Sequence, residues 1–354
     1  MGRRMGRDVD RKDGSVPTGT PQGAGSPGLM PWASSGETPP SNPRWLPLIE
    51  EVMKVFVVLN PAAGQEAHAS VRDALARRLG AAQIPYEVHE TVEGDAIGEI
   101  VRARLREGFD LVVAAGGDGT VSGVVDGLVE SSIPLCILPT GTGNLIAREL
   151  GIPTGVDEAV ALIDGPSGTR RIDAMRIGDR VFILNVSVGV SVSVVRSATT
   201  GLKNRLGRLA YLWGILLRMF RWRSHPLTVA VDGVAEEYRA IEVSVMNCGM
   251  LPKALYLNGP TLSVDDGHLD VFVLGMKAIR DYPGMIFNVL AGRPFDFLWR
   301  FLEVEKHATI RSDRPLRVQA DGDIVGTTPV EIEVLPAAVR VLVPQEAATA
   351  PSPS

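Results

Sequence analysis

The sequence predicts an α/β fold in which a doubly wound α/β domain precedes a mostly antiparallel β-sandwich. Two observations lead to this prediction. Between residues 54 and 165, short apolar strand-like runs alternate with helical stretches, and glycine-rich turns join them. From about residue 170 the pattern changes to longer runs with Gly-Asp and Asp-Gly turns, which are typical of antiparallel hairpins.

The 354 residues divide into two predicted domains with a loose segment at each end. The first 52 residues are rich in Gly, Pro and Ser and lack apolar periodicity, which predicts disorder. Helical insertions at about 202–222 and 277–302 interrupt the β-rich domain. The predicted segments are a disordered tail over 1–52, the α/β domain over 53–168, the β-rich domain over 169–344 and a disordered tail over 345–354.

The first domain contains strands that helices connect. Strands linked in this way are parallel, so their carboxyl ends meet at one crevice of the sheet, where open α/β sheets bind ligands. The predicted strands are 54–60, 85–90, 111–116 and 134–139, and the predicted helices are 66–79, 95–107, 121–130, 144–150 and 156–164.

Glycine-rich turns follow three of these strands. They are Pro61 to Gly64, Gly116 to Gly119 and Pro139 to Asn144, and a predicted helix follows each of them. Backbone N–H groups and the positive end of a helix attract anions, and glycine lets the main chain come close to phosphate oxygens. The turns therefore predict a phosphate-binding site; the alternative is that they are only tight turns and helix caps.

The carboxylate of Asp118 lies inside the second of these turns. A carboxylate beside phosphate groups needs a cation between them, so Asp118 is a candidate magnesium-binding or catalytic residue. The alternative is that Gly-Gly-Asp-Gly is merely a turn. No Gly-Lys-Ser or Gly-Lys-Thr occurs here, so this is not the usual P-loop.

The charge of the chain is unevenly distributed. A net charge of -5 argues against general affinity for nucleic acid. From Val181 to Val231 there is no acidic residue, and several arginines alternate with Leu, Trp, Tyr and Phe. The helix expected over 203–223 either lies on an anionic membrane surface or packs on the sheet with a solvated basic edge.

Two cysteines, Cys136 and Cys248, lie in apolar strand-like runs without histidines at metal-binding spacing. This arrangement predicts buried free thiols in a reducing compartment. No signal-peptide pattern is present at the N-terminus. We therefore expect a cytoplasmic protein, with peripheral association with the membrane if the basic helix contacts lipid.

Several motifs also occur along the chain in a fixed order, and together they resemble the diacylglycerol kinase catalytic domain family. This is the family of soluble bacterial lipid kinases, diacylglycerol kinases, sphingosine kinases and ceramide kinases. The resemblance covers about residues 54 to 344. The motifs are Asn60-Pro61-x-x-Gly64, Gly116-Gly117-Asp118-Gly119-Thr120, Leu138-Pro139-x-Gly141-Thr142-Gly143-Asn144, Asn185, Asn247, Ser263 to Asp270, and Val318 to Asp323.

The resemblance implies transfer of the γ-phosphoryl group of ATP to a lipid hydroxyl in a cleft between the domains, with Mg²⁺ as cofactor. The positions at which the family binds ATP are Asn60, Pro61, Ala62, Ala63, Gly64, Thr91, Gly117, Asp118, Gly119, Thr120, Val121, Ser122, Gly123 and Thr142. The positions at which it holds a structural Mg²⁺ are Ser263, Asp266 and His268, with the serine and histidine contributing backbone carbonyls. A hairpin turn is the alternative for this segment, and a metal can also sit on a turn.

The candidate catalytic residues are Asp118, Asp321 and Asp323. Where this chain has Asp321-Gly322-Asp323, the family usually carries Asp-Gly-Glu, and the second acid takes the proton from the lipid hydroxyl. Asp323 is shorter than glutamate by one methylene, so both Asp321 and Asp323 are candidates for the base. Leu145 and the segment 251–260, near the lipid entrance, depart from the family pattern as well.

Two other functions stay open. A soluble kinase of the NAD kinase type also uses Gly-Gly-Asp-Gly-Thr, but it would show an Asn-Glu pair where this chain has Gly-Thr-Gly-Asn. The other is a non-catalytic, nucleotide-dependent lipid sensor in which Asp323 is a weakened base. The acceptor, diacylglycerol or a related lipid alcohol, is left open, and so is a homodimer, because Trp299 and its neighbours are assigned to the core or to a dimer surface.

Overall fold

The computed structural model of the chain describes residues 53–63, 65–191, 224–248, 262–275 and 299–349. The predicted tail over 1–52, Gly64, the basic helix over 203–223 and most of the second helical insertion lie outside these residues. Within the described ranges no helix is long and apolar enough to cross a membrane.

The first part of the fold is a parallel sheet with helices on both faces. Its strands run in the order β4-β3-β1-β2. The elements are β1 (Val55–Leu59), α1 (Gln65–Ala81), β2 (Tyr86–Glu90), α2 (Ile97–Leu105), β3 (Leu111–Gly116), α3 (Asp118–Leu128), β4 (Leu135–Pro139), α4 (Leu145–Glu149) and α5 (Val156–Val160). The doubly wound arrangement that the sequence predicts is confirmed.

Alternation along the strands explains the two helical layers. On one face Phe56 packs in a cluster with Val101 of α2 and residues of α3, and on the other face Val57 packs with Leu75 of α1 and Val160 of α5. Each fully buried apolar side chain of this size contributes about 1.5–3 kcal/mol to the free energy of folding. Burial on both faces therefore fixes the sheet that presents the turns.

The second part of the fold is built from antiparallel strands. The path of the sheet runs β14-β13-β7-β9-β8-β12-β15, with β10 paired to β9 and β11, and β5 paired to β15 and β6. The elements are β5 (Ser167–Ile177), β6 (Arg180–Phe182), β7 (Asn185–Gly189), β8 (His225–Val231), β9 (Val234–Met246), β10 (Leu269–Gly275), β11 (Trp299–Val304), β12 (His307–Ser312), β13 (Arg317–Ala320), β14 (Asp323–Thr327), β15 (Val330–Pro344) and α6 (Gln345–Thr349).

Strand β15 joins the two parts. Its first half pairs with β12, and most of its length pairs with β5. The register of the pairing with β5 shifts between Leu335 and Val339. Beyond this shift, Val341 lies beside Leu135 of β4. The described residues of both parts belong to one compact unit. The short helix α6 lies in the segment expected to be a loose end, and its Ala347 and Ala348 pack against the core.

The second helical insertion also differs from the prediction. The end of the helix predicted over 277–302 is instead strand β11, which pairs with β10 along its length. The Phe301 ring lies 5.4 Å from the Phe272 ring, and Leu302 packs against the apolar core of the β-rich part, which includes Val271 and Val304. Pairing with β10 decides the conformation here, and the helix prediction is wrong over these residues.

Candidate active site

The predicted binding residues that follow β1 and β2 lie at the carboxyl edge of the parallel sheet. The Asn60 side chain donates through Nδ2 to Thr120 Oγ1 at 3.0 Å and accepts through Oδ1 from Ala62 N at 2.9 Å. Thr91 is buried, and its N–H donates to the Leu59 carbonyl at 2.9 Å. Asn60 therefore connects the first turn, where Pro61 and Ala62 are exposed, to the start of α3.

The second and third turns contact each other through glycine. A Cβ atom placed on Gly141 would lie 2.4 Å from the Gly117 Cα atom, and one placed on Gly116 would lie 2.4 Å from Thr120 Oγ1. A Cβ on Gly119, in contrast, meets nothing within 4 Å. Gly141 is thus required for close packing between the turns, whereas the open side of Gly119 leaves room for a ligand.

Asp118 also connects the two turns. Its Oδ1 accepts a hydrogen bond from Leu145 N at 2.7 Å, at the start of α4. Asn144 adopts a left-handed conformation with φ of 48°, and its carboxamide makes two hydrogen bonds with the Gly141 main chain. The exposed Thr142 lies between them. Asp118 therefore has one oxygen bound to the protein main chain at the edge where phosphate is predicted to bind.

The carboxylate of Asp321 is held by four donors. Oδ1 accepts from Leu184 N and Asn185 N, each at 3.0 Å, and Oδ2 accepts from Ile183 N at 2.9 Å and from Ser122 Oγ at 2.5 Å. Burial raises the pKa of Asp321, and the four hydrogen bonds act in the opposite direction. With two donors on each oxygen, Asp321 fixes the turn after β13 against the β6–β7 corner and α3.

Asp323, two residues further on, is in a different environment. Its side chain is 76% exposed, and Arg180 Nη2 lies 3.8 Å from its Oδ2. The guanidinium of Arg180 also lies 5.0 Å from the centre of the Phe182 ring. Asp323 thus has a carboxylate that is open to solvent beside a cation.

A cleft lies between the two parts of the fold at this point. It has a volume of about 430 Å³. Of the predicted site residues, it is lined by Gly119, Ser122, Gly123, Asp321 and Asp323. The end of the second turn, the first turns of α3 and the two acids after β13 therefore face one space.

Comparison with known proteins identifies the family. The diacylglycerol kinase catalytic domain matches residues 54–177, and the "YegS C-terminal NAD kinase beta sandwich-like domain" matches residues 184–343. A diacylglycerol kinase of Mycobacterium tuberculosis strain H37Rv is 30% identical over 311 residues, which cover 83% of this chain and 96% of that protein. The chain belongs to the diacylglycerol kinase catalytic domain family.

Other relatives agree with this family assignment. A YegS-like lipid kinase by name, from Stenotrophomonas maltophilia, is 30% identical over 86% of this chain and 97% of its own length. The crystal structure of a diacylglycerol kinase from Bacillus anthracis matches with a TM-score of 0.61 at 22% identity, over 84% of this chain and 99% of that one, and shows the same fold. Membership of the diacylglycerol kinase family supports a lipid kinase enzyme.

The predicted metal-binding residues, Ser263, Asp266 and His268, lie on a turn and are not among the residues that line the cleft. Asp265 is paired there: it accepts from Arg170 Nε at 2.8 Å and from Ser263 Oγ at 2.7 Å. Among the described residues, the contacts of Asp266 Oδ1 with His268 are long: His268 N and His268 Nδ1 each lie 3.4 Å away. Burial raises the pKa of Asp266. No group of three or more His, Cys, Asp or Glu side chains in the described parts of the chain is arranged to hold a metal.

Several residues that support the candidate site are not predicted by the sequence. Asp173, almost fully buried, accepts from Gly267 N at 2.8 Å and from Ala337 N at 2.6 Å, and so anchors the 264–267 turn to β15. Arg180 at the cleft was also missed. Ser122 was predicted only as a nucleotide-binding position, and its hydroxyl is bound to Asp321. No local motif marks these residues, because each contact joins segments far apart in the chain.

Proposed function

We propose that this chain is an ATP-dependent lipid kinase that transfers the γ-phosphoryl group of ATP to a hydroxyl of a membrane lipid, diacylglycerol or a related lipid alcohol. The observation that carries the proposal is the shared cleft: Gly119, at the end of the second turn, and Gly123 of α3 face the same space as Asp323. A phosphoryl group bound at the start of α3 is then within reach of a carboxylate that can accept the hydroxyl proton.

The nucleotide is proposed to bind along the carboxyl edge of β1, β2, β3 and β4. The N-terminal N–H groups of α3, an 11-residue helix, stabilise negative charge there. Asp118 uses one oxygen for the Leu145 amide, and its second oxygen is proposed to face the Mg²⁺ ion that accompanies ATP. That ion would neutralise charge on the phosphates when it is bound.

Asp323 is proposed as the base, and Asp321 as the residue that holds the turn. Both oxygens of Asp321 are already saturated by two hydrogen bonds each, so protonation there would break contacts with Ser122 or with the β6–β7 main chain. Asp323 makes no such contacts among the described residues and lies in the open cleft. The hydroxyl oxygen of the lipid attacks the γ-phosphorus, and the hydroxyl proton passes to Asp323. The bond between the γ-phosphorus and the β-phosphate oxygen breaks, and ADP leaves.

A second Mg²⁺ site is proposed on the turn of Ser263, Asp266 and His268. Asp265 is neutralised by Arg170, whereas in the part of the chain that the structure describes the partly buried carboxylate of Asp266 is paired with no cation closer than His268. Carboxylate and carbonyl oxygens are the ligands that Mg²⁺ prefers, so the turn fits the ion. Bound there, Mg²⁺ would supply charge compensation that keeps Asp266 ionised, and thereby a structural role.

The protein is further proposed to act as a peripheral membrane protein from the cytoplasm. What supports this is the run of cations without acids from Val181 to Val231, which suits an anionic lipid surface. A lipid alcohol with long acyl chains stays in the bilayer, so an enzyme that phosphorylates it has to meet that surface.

The test is a transfer assay with γ-labelled ATP, Mg²⁺ and a panel of lipid alcohols in mixed micelles, with NAD as a soluble acceptor. Asp118→Asn is the matched variant, because its amide oxygen can still accept from Leu145 N while the negative charge is lost. We expect label on a lipid alcohol with the wild type and a large loss with Asp118→Asn. Label on NAD, or binding of ATP without transfer to any acceptor, would contradict the proposal.

A further inference from the structure

A chain of hydrogen bonds runs through the sheet behind the turn that carries Asp323. Gly322 N donates to Gln319 Oε1 at 2.9 Å, and Gln319 Nε2 donates to Ser187 Oγ at 2.6 Å. Gln319 and Ser187 are directly opposite each other on the neighbouring strands β13 and β7, and both are buried. A buried carboxamide whose nitrogen and oxygen are both hydrogen-bonded has one orientation. The hydrogen bond from Gln319 Nε2 to Ser187 therefore helps to keep Gln319 Oε1 directed at Gly322 N.

The chain ends on a buried carboxyl group. Ser187 Oγ lies 2.7 Å from Ser191 Oγ, and both hydroxyls hydrogen-bond to Glu242 of β9, which also accepts from Ser191 N at 3.0 Å. Burial raises the pKa of Glu242 to about 7, and these hydrogen bonds oppose the rise. When it is ionised, Glu242 only accepts, so the Ser187 proton points toward Glu242 or Ser191 and the Ser187 lone pairs stay available to Gln319.

The turn itself needs support from two sides. Asp321 and Gly322 both have a positive φ, 48° and 98°. A left-handed aspartate costs free energy and persists where the surroundings fix it. The Asp321 carboxylate is held by the β6–β7 corner and Ser122, and the Gly322 amide is held by Gln319. The conformation of the main chain just before Asp323 therefore depends on both sets of bonds.

We propose that Gln319 is a positioning residue for Asp323, and that Ser187 and Glu242 fix the orientation of the Gln319 carboxamide. The inference rests on the proposed function, since it deepens the role given there to Asp323. A base that is displaced by about 1 Å loses on the order of 100-fold in rate, so a residue that sets its place affects transfer without contacting substrate.

The first test does not depend on enzymatic activity. Hydrogen exchange of a peptide covering residues 319–325 is measured by mass spectrometry in the wild type, Gln319→Leu and Ser187→Ala. We expect the amide of Gly322 to exchange about fivefold faster in Gln319→Leu, because its acceptor is gone. Unchanged exchange in this variant would overturn the inference. Ser187→Ala removes only a hydroxyl and serves as the test if Gln319→Leu does not fold. Faster exchange of the Gly322 amide in Ser187→Ala would then support the inference, and unchanged exchange would overturn it.

The second test is kinetic and uses the acceptor that the panel selects. We expect Gln319→Leu to lower kcat on the order of 100-fold while the dissociation constant for ATP stays unchanged, and Ser187→Ala to show a smaller loss. Because Ser187 acts through Gln319, the double variant should be no slower than Gln319→Leu. Ser244→Ala removes a buried hydroxyl opposite Ser187 on β9 that accepts one long hydrogen bond, 3.5 Å from Asn185 Nδ2; it is the matched control and should keep its kcat.

The outcomes separate this inference from the proposed function. Additive losses in the double variant, or an equal loss in Ser244→Ala, would show a general effect of packing and overturn the positioning role of Gln319. If the wild type transfers phosphate to no acceptor, the proposed function fails. The exchange measurement on Gly322 then still decides whether Gln319 holds the turn.

Discussion

The contact between Gly117 and Gly141 leads to the sharpest prediction for the nucleotide-binding edge. In Gly141→Ala, the new Cβ would lie 2.4 Å from the Gly117 Cα atom, 2.9 Å from Asn144 Oδ1 and 3.2 Å from Gly117 N. Carbon atoms in contact are separated by about 3.5–4.0 Å, so the two turns have to move apart by about 1 Å. The atoms in the way belong to the main chain and to a hydrogen-bonded carboxamide, which cannot simply rotate aside.

This displacement should affect binding and catalysis more than folding. Overpacking of this kind costs about 1–3 kcal/mol, whereas a displacement of about 1 Å at a reacting group costs on the order of 100-fold in rate. We therefore expect Gly141→Ala to bind ATP weakly, to transfer phosphate on the order of 100-fold more slowly, and to lower the thermal midpoint by roughly 2–4 °C for each kcal/mol.

The assays are titration with a fluorescent ATP analogue, the transfer assay and thermal denaturation. Gly80→Ala is the matched control, because Gly80 lies in α1 and a Cβ there meets nothing within 4 Å. It should stabilise the protein by about 0.5–1 kcal/mol and leave ATP binding unchanged. Normal ATP affinity and normal transfer in Gly141→Ala would refute the argument that glycine is needed for contact between the turns.

Three further predictions follow from the site and its supports. Asp323→Asn should lower kcat by about 10²–10⁴-fold with unchanged ATP affinity, measured by steady-state kinetics and titration. Arg170→Ala should destabilise the protein by roughly 3 kcal/mol in chemical denaturation, because it leaves the nearly buried Asp265 unpaired, whereas Arg77→Ala breaks only an exposed pair and should cost under about 1 kcal/mol. Because the pKa of Glu242 is raised in the folded protein, its contribution to the free energy of unfolding is largest below pH 4.5 and is lost as the pH rises through about 7. Glu242→Gln should remove this loss, which is about 3 kcal/mol between these pH values.

Each of these predictions can fail clearly. A kcat for Asp323→Asn near that of the wild type would remove the proposed base. Equal destabilisation by the Arg170 and Arg77 variants would show that burial of the pair with Asp265 does not matter. If denaturation curves of Glu242→Gln keep the pH dependence of the wild type, another group titrates in that range.

The architecture of the first domain could be predicted because its signals are local. Apolar strands, glycine turns and helical periodicity each occupy a few consecutive residues. Helix α3, predicted over 121–130, begins at Asp118, since the Gly117 carbonyl accepts from Thr120 N and Val121 N, and it ends at Leu128. Strand β11 could not be predicted in this way. Its run of aromatic and aliphatic residues fits a helical and a strand pattern alike, and pairing with β10 decides between them.

The candidate site was predictable as a set of residues but not as an arrangement. The sequence leaves both Asp321 and Asp323 as candidates for the base, because Asp323 is one methylene shorter than the glutamate that the family usually carries there. Their environments differ through contacts with Ser122 and the β6–β7 corner, more than 100 positions away in sequence. The same holds for Gln319, since an isolated Gln or Ser in a strand carries no signal that distinguishes a hydrogen-bonded chain from ordinary polar residues.

The most direct test of the central claim is the transfer of label from γ-labelled ATP to diacylglycerol and related lipid alcohols, measured side by side for the wild type and Asp323→Asn at saturating ATP. Phosphorylated lipid from the wild type, with transfer reduced by at least about 100-fold in the variant, is the result that we predict. Equal phosphorylation by both proteins, or label that appears only on NAD, would contradict the claim that this cleft phosphorylates lipid hydroxyls through Asp323.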